Sequence, residues 1–114
     1  AIACEGDHIA PWKDCWRGVA QMGSEDKTFI LSESGHVAGI VNPPNRVKYG
    51  HYIGDSDFGG GHQRWRDSAT FTEGSWWPHW GEWLAQRAGA MVAARDPGEG
   101  LEPAPGLYVH ERAG

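Results

Sequence analysis

The chain has 114 residues, so it can form at most one domain with a small hydrophobic core. Its formal net charge is -5, with both signs interspersed, which gives no electrostatic basis for binding nucleic acid or an acidic membrane surface. It has no apolar run near the roughly 18 residues of a membrane span and no signal-peptide pattern. Its two cysteines are too few for a disulfide framework. We therefore expect a cytoplasmic protein.

The first 44 residues predict a strand–helix–strand unit. Residues 1–5 form a short apolar strand, Trp12–Met22 an amphipathic helix and Thr28–Leu31 a second strand. Pro11 suits the first turn of the helix. Because two strands joined by a crossover helix usually lie side by side, we expect them to be parallel, with a right-handed connection. The chain begins within the first apolar run and without a Met, so we expect it to be part of a longer protein.

The remaining residues divide into a loop, a helix and a tail. Residues 45–73 are predicted as a loop because they are rich in glycine, aspartate and tyrosine. Residues 74–89 contain a tryptophan-rich helix, Trp76–Ala88, and residues 90–114 form a Pro/Gly-rich tail in which Leu107–Val109 could pair as a short edge strand. The apolar residues on one face of the helix are expected to pack on the sheet: Trp76, Trp80, Trp83 and Leu84.

An acid and a histidine follow the two predicted strands. Asp7 comes after the first strand and His36 after the second, each next to a glycine. A carboxylate that holds one nitrogen of an imidazole leaves the other nitrogen free to act as a general base. Strand, Asp, helix, strand, His is also the order in which an α/β-hydrolase presents the last two members of its triad. The alternative is that the two residues lie on unrelated loops.

No nucleophile for such a triad is present in the sequence. The pentapeptides Gly-x-Ser-x-Gly and Gly-x-Cys-x-Gly, which form a nucleophile elbow, do not occur. Cys4 lies within the first predicted strand and Cys15 within the first helix, without flanking glycines, so both are expected to be structural thiols. We therefore expect the chain to be inactive by itself.

Four motifs carry a resemblance to a known family. In order, they are GDHIAPW (Gly6–Trp12), FILSESGHVAGIVNPP (Phe29–Pro44), GSWWPHWGEWL (Gly74–Leu84) and LEPAPGLYV (Leu101–Val109). In sequence and spacing they resemble the C-terminal end of polyhydroxyalkanoate synthases, and most closely the class I enzymes that act on short-chain substrates. GSWWPHW is the specific motif, whereas Gly-His alone is common.

The resemblance implies a partial α/β-hydrolase-like domain, residues 1–114, and an acyltransferase activity. Asp7 matches the family's catalytic aspartate and His36 its catalytic histidine, while the nucleophilic cysteine would lie upstream of Ala1. The substrates implied are (R)-3-hydroxyacyl-CoA, such as 3-hydroxybutyryl-CoA, and the growing polyester chain, with no cofactor and no metal. Asp7 would either orient His36 or assist the substrate hydroxyl. The full-length protein would be a cytoplasmic homodimer at the surface of polyhydroxyalkanoate granules.

Two other functions stay open at this stage. The chain could belong to a different α/β-hydrolase, an esterase or depolymerase with a serine nucleophile, or it could be a non-enzymatic tryptophan-rich binding module. His8 is expected to be a structural hydrogen-bond partner. Residues 49–63 follow the family only loosely, and their acidic and histidine side chains match no metal-ligand spacing: His51, Asp55, Asp57 and His62.

Overall fold

A computed structural model describes residues 1–54, 56–96, 98, 100 and 102–112 and shows an α/β architecture. Within these ranges the chain forms four short strands, three α-helices and two 3-10 turns. In chain order the strands and α-helices are β1 (Ile2–Cys4), α1 (Trp12–Ala20), β2 (Ile30–Ser32), β3 (His51–Ile53), α2 (Gly61–Ser68), β4 (Thr70–Thr72) and α3 (Trp77–Ala88).

The strands form one mixed sheet in the order β1–β2–β3–β4. β1 and β2 are parallel, with Ala3 opposite Leu31, so the predicted parallel pairing is confirmed. The pairs β2–β3 and β3–β4 are antiparallel. The unit that carries the candidate site therefore lies at one end of the sheet, and β1 is its terminal strand among the described residues.

The prediction that residues 45–73 form a loop is wrong, because β3, α2 and β4 lie within them. The two strands have three residues each, too few for alternation of apolar and polar residues to be visible in the sequence. β3 and β4 are stabilised by contacts between residues distant in the sequence; for example, the ring centroids of Tyr52 and Phe71 lie 4.8 Å apart. α2, all of whose residues are described, buries only Trp65, so it has no apolar stripe.

The hydrophobic core lies between the sheet and helices α1 and α2. Trp65 is 1% exposed, and its ring centroid lies 5.0 Å from that of Phe29. Ala3 and Leu31 face the same side of the sheet because they are opposite each other in the register. The buried core residues are Ala3, Trp16, Val19, Phe29, Leu31 and Trp65. This packing anchors the two strands whose ends lead to Asp7 and His36.

Helix α3 is one residue shorter than predicted and ends at Gly89, whose φ of 74° belongs to the left-handed region. Its tryptophan face is not packed on the sheet as expected. Trp80 and Trp83 are 48% and 38% exposed, and together with the opposite sheet face they line an open groove of about 300 Å³. Of the four residues predicted to form the packing face, only Trp76, just before the helix, is buried. Each strand has only three residues, so this face of the sheet offers few side chains for the helix to pack against.

The tail contains no edge strand among the residues that the structure describes. Tyr108–His110 form a 3-10 turn instead, so the prediction of a strand at Leu107–Val109 is wrong. The preceding Pro105-Gly106 pair favours a turn, and the side chain of Tyr108 is 81% exposed, without a neighbouring strand. In the described part of the chain, none of the helices has the length and apolar character needed to cross a bilayer.

Candidate active site

The parallel pairing of β1 and β2 brings the ends of the two strands to the same edge of the sheet. The pairing continues past the strands, because the Glu5 N–H donates to the Ser32 carbonyl at 2.8 Å and the Gly6 N–H to the Ser34 carbonyl at 2.8 Å. Gly6 allows this close approach, since an added Cβ would lie 3.2 Å from the Ser34 oxygen. The loops that carry Asp7 and His36 are thereby joined at their bases.

The structure brings Asp7 and His36 into direct contact. His36 Nδ1 lies 2.9 Å from Asp7 Oδ2. The side chain of Asp7 is 8% exposed, whereas that of His36 is 45% exposed. The carboxylate is therefore shielded behind the imidazole, and the ring remains open to a reacting group.

The Asp7 carboxylate is held by backbone donors as well as by the ring. Its Oδ1 accepts hydrogen bonds from the N–H groups of Ile9 and Ala10, both at 2.9 Å. The Ala10 N–H contributes most to lowering the pKa of Asp7 to about 2, and His36 and the Ile9 N–H lower it further, against desolvation, which raises it. Asp7 is therefore ionised at neutral pH.

The ionised carboxylate determines the tautomer of His36. Since a carboxylate can only accept a hydrogen bond, Nδ1 of the ring must carry the proton in the 2.9 Å contact. In the neutral ring Nε2 is then unprotonated and can accept a proton. This is the arrangement that a general base requires.

A cavity of about 170 Å³ lies beside the pair and is mostly apolar. Cys4 and Cys15 contribute to its lining, but the structure gives neither thiol a hydrogen bond to His36 in the described residues. Cys4 is 1% exposed, and burial is the main reason why the pKa of its thiol is raised, which makes it a poor nucleophile. Cys15 Sγ is 3.7 Å from the Ala10 carbonyl oxygen. Both therefore have the environment of structural thiols.

The segment after β2, residues 33–41, is called the His36 loop below. Val37 has a φ of 64°, and the Ala38 N–H donates to the His36 carbonyl at 2.7 Å, which closes a γ-turn directly after His36. A β-branched residue rarely adopts a positive φ. Such a conformation costs about 1–3 kcal/mol and persists only where surrounding contacts enforce it.

Three residues that sequence reasoning missed contact this loop. The Gly39 carbonyl accepts hydrogen bonds from the Ser32 hydroxyl and the Trp76 indole, and the Ile40 carbonyl accepts one from the Trp77 indole. The signal available in the sequence is the Trp76-Trp77 pair within GSWWPHW, of which only Trp76 belongs to the face predicted to pack on the sheet.

The other predicted side chains are not brought into the site. His8 is exposed, and its ring has no hydrogen bond in the described ranges, so it is not the expected structural partner. His51 is buried and its Nδ1 lies 2.9 Å from the Gly74 carbonyl, while His62 packs against Trp12. No metal-binding group of three or more His, Cys, Asp or Glu is found in the part of the chain that the structure describes, and Asp55 lies outside it.

No protein-family model matches the chain. It is 43% identical to the poly(3-hydroxyalkanoate) polymerase subunit PhaC of Rhizobium etli, over 97% of the chain and 18% of that relative. It is 42% identical to the poly(3-hydroxyalkanoate) polymerase of Methylorubrum extorquens, over 98% of the chain and 19% of the relative. It is 39% identical to PhaC of Cupriavidus necator, over 94% of the chain and 19% of the relative. The chain thus spans about a fifth of the length of these relatives and aligns with their C-terminal part.

Proposed function

Because the chain belongs to the poly(3-hydroxyalkanoate) polymerase family, we propose that it supplies Asp7 and His36 to the active site of such a polymerase. The enzyme would join (R)-3-hydroxyacyl units from their CoA thioesters and release CoA. The observation that carries this proposal is the 2.9 Å contact between His36 Nδ1 and Asp7 Oδ2, while Nε2 has no hydrogen-bond partner among the described residues. The nucleophilic cysteine would come from the larger part of the polymerase, outside this chain.

In the acylation step His36 acts as a general base. Its Nε2 accepts the proton of the cysteine thiol, and the thiolate attacks the carbonyl carbon of the acyl-CoA thioester. The bond from that carbon to the CoA sulfur breaks, and the leaving thiolate takes the proton from the imidazolium. An acyl-enzyme thioester and free CoA result.

In the transfer step the acceptor is a hydroxyl of the growing chain. His36 Nε2 removes the hydroxyl proton, the oxygen attacks the acyl-enzyme, an ester bond forms, and the cysteine sulfur leaves and is reprotonated by the imidazolium. Asp7 is assigned the orienting role rather than direct assistance to the hydroxyl. Its Oδ1 already accepts two backbone N–H groups, its Oδ2 accepts from His36, and its side chain is 8% exposed.

The fold proposed for the complete enzyme is that of an α/β-hydrolase. β1, α1 and β2 would be its last parallel crossover unit. The outer edge of β1 has no strand partner among the described residues, so a strand from the rest of the polymerase would pair there and bring the cysteine toward His36. Exclusion of water from this junction would favour transfer to a hydroxyl over hydrolysis.

The remaining assignments are part of the same proposal. The resemblance to class I enzymes favours short acyl chains, whereas the names of the relatives specify only poly(3-hydroxyalkanoate). The polymerase would act as a homodimer at the surface of polyester granules in the cytoplasm. The reaction as written consumes acyl-CoA and needs no cofactor or metal.

The test is the substitution His36→Ala in the full-length polymerase that contains this chain. CoA release from 3-hydroxybutyryl-CoA should fall by roughly 10²–10⁴, because the general base is lost. His8→Ala is the matched control and should retain the activity of the unmodified enzyme. Unchanged turnover in His36→Ala would reject the role of His36. Release of free 3-hydroxybutyrate instead of polymer would favour a hydrolase.

A further inference from the structure

The His36 loop is held from outside by the segment that leads into α3. Trp76 Nε1 lies 3.2 Å from the Gly39 carbonyl oxygen, and Trp77 Nε1 lies 3.0 Å from the Ile40 carbonyl oxygen. Both are donated hydrogen bonds, since an indole N–H can only donate. The loop and the two tryptophans are far apart in the sequence, so these bonds are tertiary contacts.

A second donor acts on the same part of the loop. The Ser32 hydroxyl, which is fully buried, lies 2.9 Å from the Gly39 carbonyl oxygen, so that oxygen accepts two hydrogen bonds. Gly39 itself fits only because it lacks a side chain. An added Cβ would lie 2.2 Å from the Glu33 carbonyl oxygen and 2.9 Å from Cys4 Sγ.

The tryptophans come from a segment whose backbone is itself anchored. His51 in β3 lies with Nδ1 2.9 Å from the Gly74 carbonyl oxygen, which requires that ring nitrogen to be the donor. The Trp77 N–H donates to Ser75 Oγ at 3.1 Å. The start of α3 is thus connected to the sheet on one side and to the His36 loop on the other.

We propose that Trp76 and Trp77 are positioning residues for His36. Their indole N–H groups restrain the carbonyls of residues 39 and 40 and so maintain the positive-φ turn at Val37, directly after His36. Without them the turn relaxes, and the imidazole loses its alignment with Asp7 and with the incoming nucleophile. The inference rests on the proposed function, since it concerns the base of that reaction.

The experiment compares Trp→Phe variants of the full-length polymerase, which remove the N–H and keep an aromatic ring. Trp77 is 37% exposed, so W77F tests the hydrogen bond with little loss of buried volume; W76F, at 6% exposed, also leaves a cavity. The matched controls are W80F and W83F on the exposed face of α3. In the described residues the structure gives neither of these indoles a hydrogen bond.

The readout is the burst of CoA release at saturating 3-hydroxybutyryl-CoA. Its amplitude counts folded active sites, and its rate constant reports the acylation step. We expect W77F to keep the amplitude and to lower the rate constant about tenfold, with KM unchanged, because small misplacements of a catalytic group strongly reduce rate. A purely structural role would lower the amplitude and leave the rate constant unchanged.

The outcomes separate this inference from the proposed function. If H36A abolishes the burst and W77F matches W80F in rate constant, the positioning role is rejected and the general-base role stands. If H36A leaves the burst intact, the proposed function fails whatever the tryptophan variants do. A rate loss in W77F that also occurs in W80F and W83F would likewise reject the specific role of the Trp77 N–H.

Discussion

The carboxylate of Asp7 connects charge, stability and the candidate chemistry at the scale of a single residue. Its folded-state pKa, about 2, lies below the roughly 3.9 of an unfolded aspartate. The stabilisation it contributes is therefore fully present above pH ~4 and is lost as the pH falls through about 2. We expect the thermal unfolding midpoint to fall over this interval, and Asp7→Asn to reduce that pH dependence.

The control for this prediction is Asp14→Asn. Asp14 forms an exposed ion pair with Arg17 at 2.5 Å on the surface of α1. Exposed pairs of this kind contribute little to stability. The control should therefore keep the acid dependence of the unmodified protein, measured by circular dichroism between pH 2 and pH 5. If the unfolding midpoints of Asp7→Asn and of the unmodified protein depended equally on pH, the stabilising role assigned to the ionised Asp7 would be contradicted.

Gly39 provides a second prediction at the scale of a residue. Gly39→Ala should destabilise the protein by about 1–3 kcal/mol, because the new Cβ overpacks the space beside Glu33 and Cys4. Gly81→Ala, in α3, is the matched control: its Cβ meets nothing within 4 Å. The control should be stabilising by about 0.5–1 kcal/mol, since alanine is the better helix former. Urea unfolding measures both effects, and equal unfolding midpoints for Gly39→Ala and Gly81→Ala would be inconsistent with the close packing around Gly39.

Among the elements, α2 and α3 differ in how they are held. α2 buries Trp65 in the core, whereas α3, described throughout, buries no residue and is connected to the rest of the molecule by polar contacts. One of these is the ion pair of Arg87 with Asp26 at 2.6 Å. A helix anchored through one buried ring depends on that ring, while an exposed tryptophan contributes little to folding.

This contrast predicts unequal costs for two similar substitutions. Trp65→Ala should destabilise the protein by about 3–5 kcal/mol, because it removes a fully buried ring and leaves a cavity. Trp80→Ala, at 48% exposed, should cost no more than about 1 kcal/mol. Differential scanning calorimetry compares the two unfolding midpoints. A loss for Trp80→Ala as large as that for Trp65→Ala would show that the open groove beside α3 closes in solution.

The whole molecule is less compact than its length allows. Its radius of gyration is 18.6 Å, against about 13 Å for a compact domain of this size. The core lies between the sheet and the first two helices, and the described residues after Gly89 add length with little burial. Residues 91–96 are exposed and have no regular secondary structure.

Limited proteolysis tests whether residues 91–96 are more accessible than the helices that pack on the core. Trypsin should cut the chain first after Arg95, since proteases need an exposed and locally extended backbone. Cleavage after Arg17 and Arg64 should come later, because α1 and α2 protect them. Mass spectrometry of the first fragments identifies the site, and Arg95→Gln should remove the early product. Early cleavage within α1 or α2 would contradict the described fold.

The sequence alone was sufficient to predict the strand–helix–strand unit and the last helix. The apolar run before Glu5, the periodic stripe after Pro11 and the stop at Gly89 are local signals, and each corresponds to an element boundary within a few residues. Parallel neighbours then follow from the crossover, and with them the meeting of Asp7 and His36 at one edge. The catalytic role assigned to the pair stays a prediction.

The tertiary structure alone decided the rest. β3 and β4 are too short to show a period, and α2 has one buried residue, so pairing and packing with distant parts of the chain create them. The hydrogen bonds from Trp76 and Trp77 to the His36 loop join residues 37 positions apart. Such contacts leave no periodic pattern in the sequence, because they depend on where two separately folded segments meet.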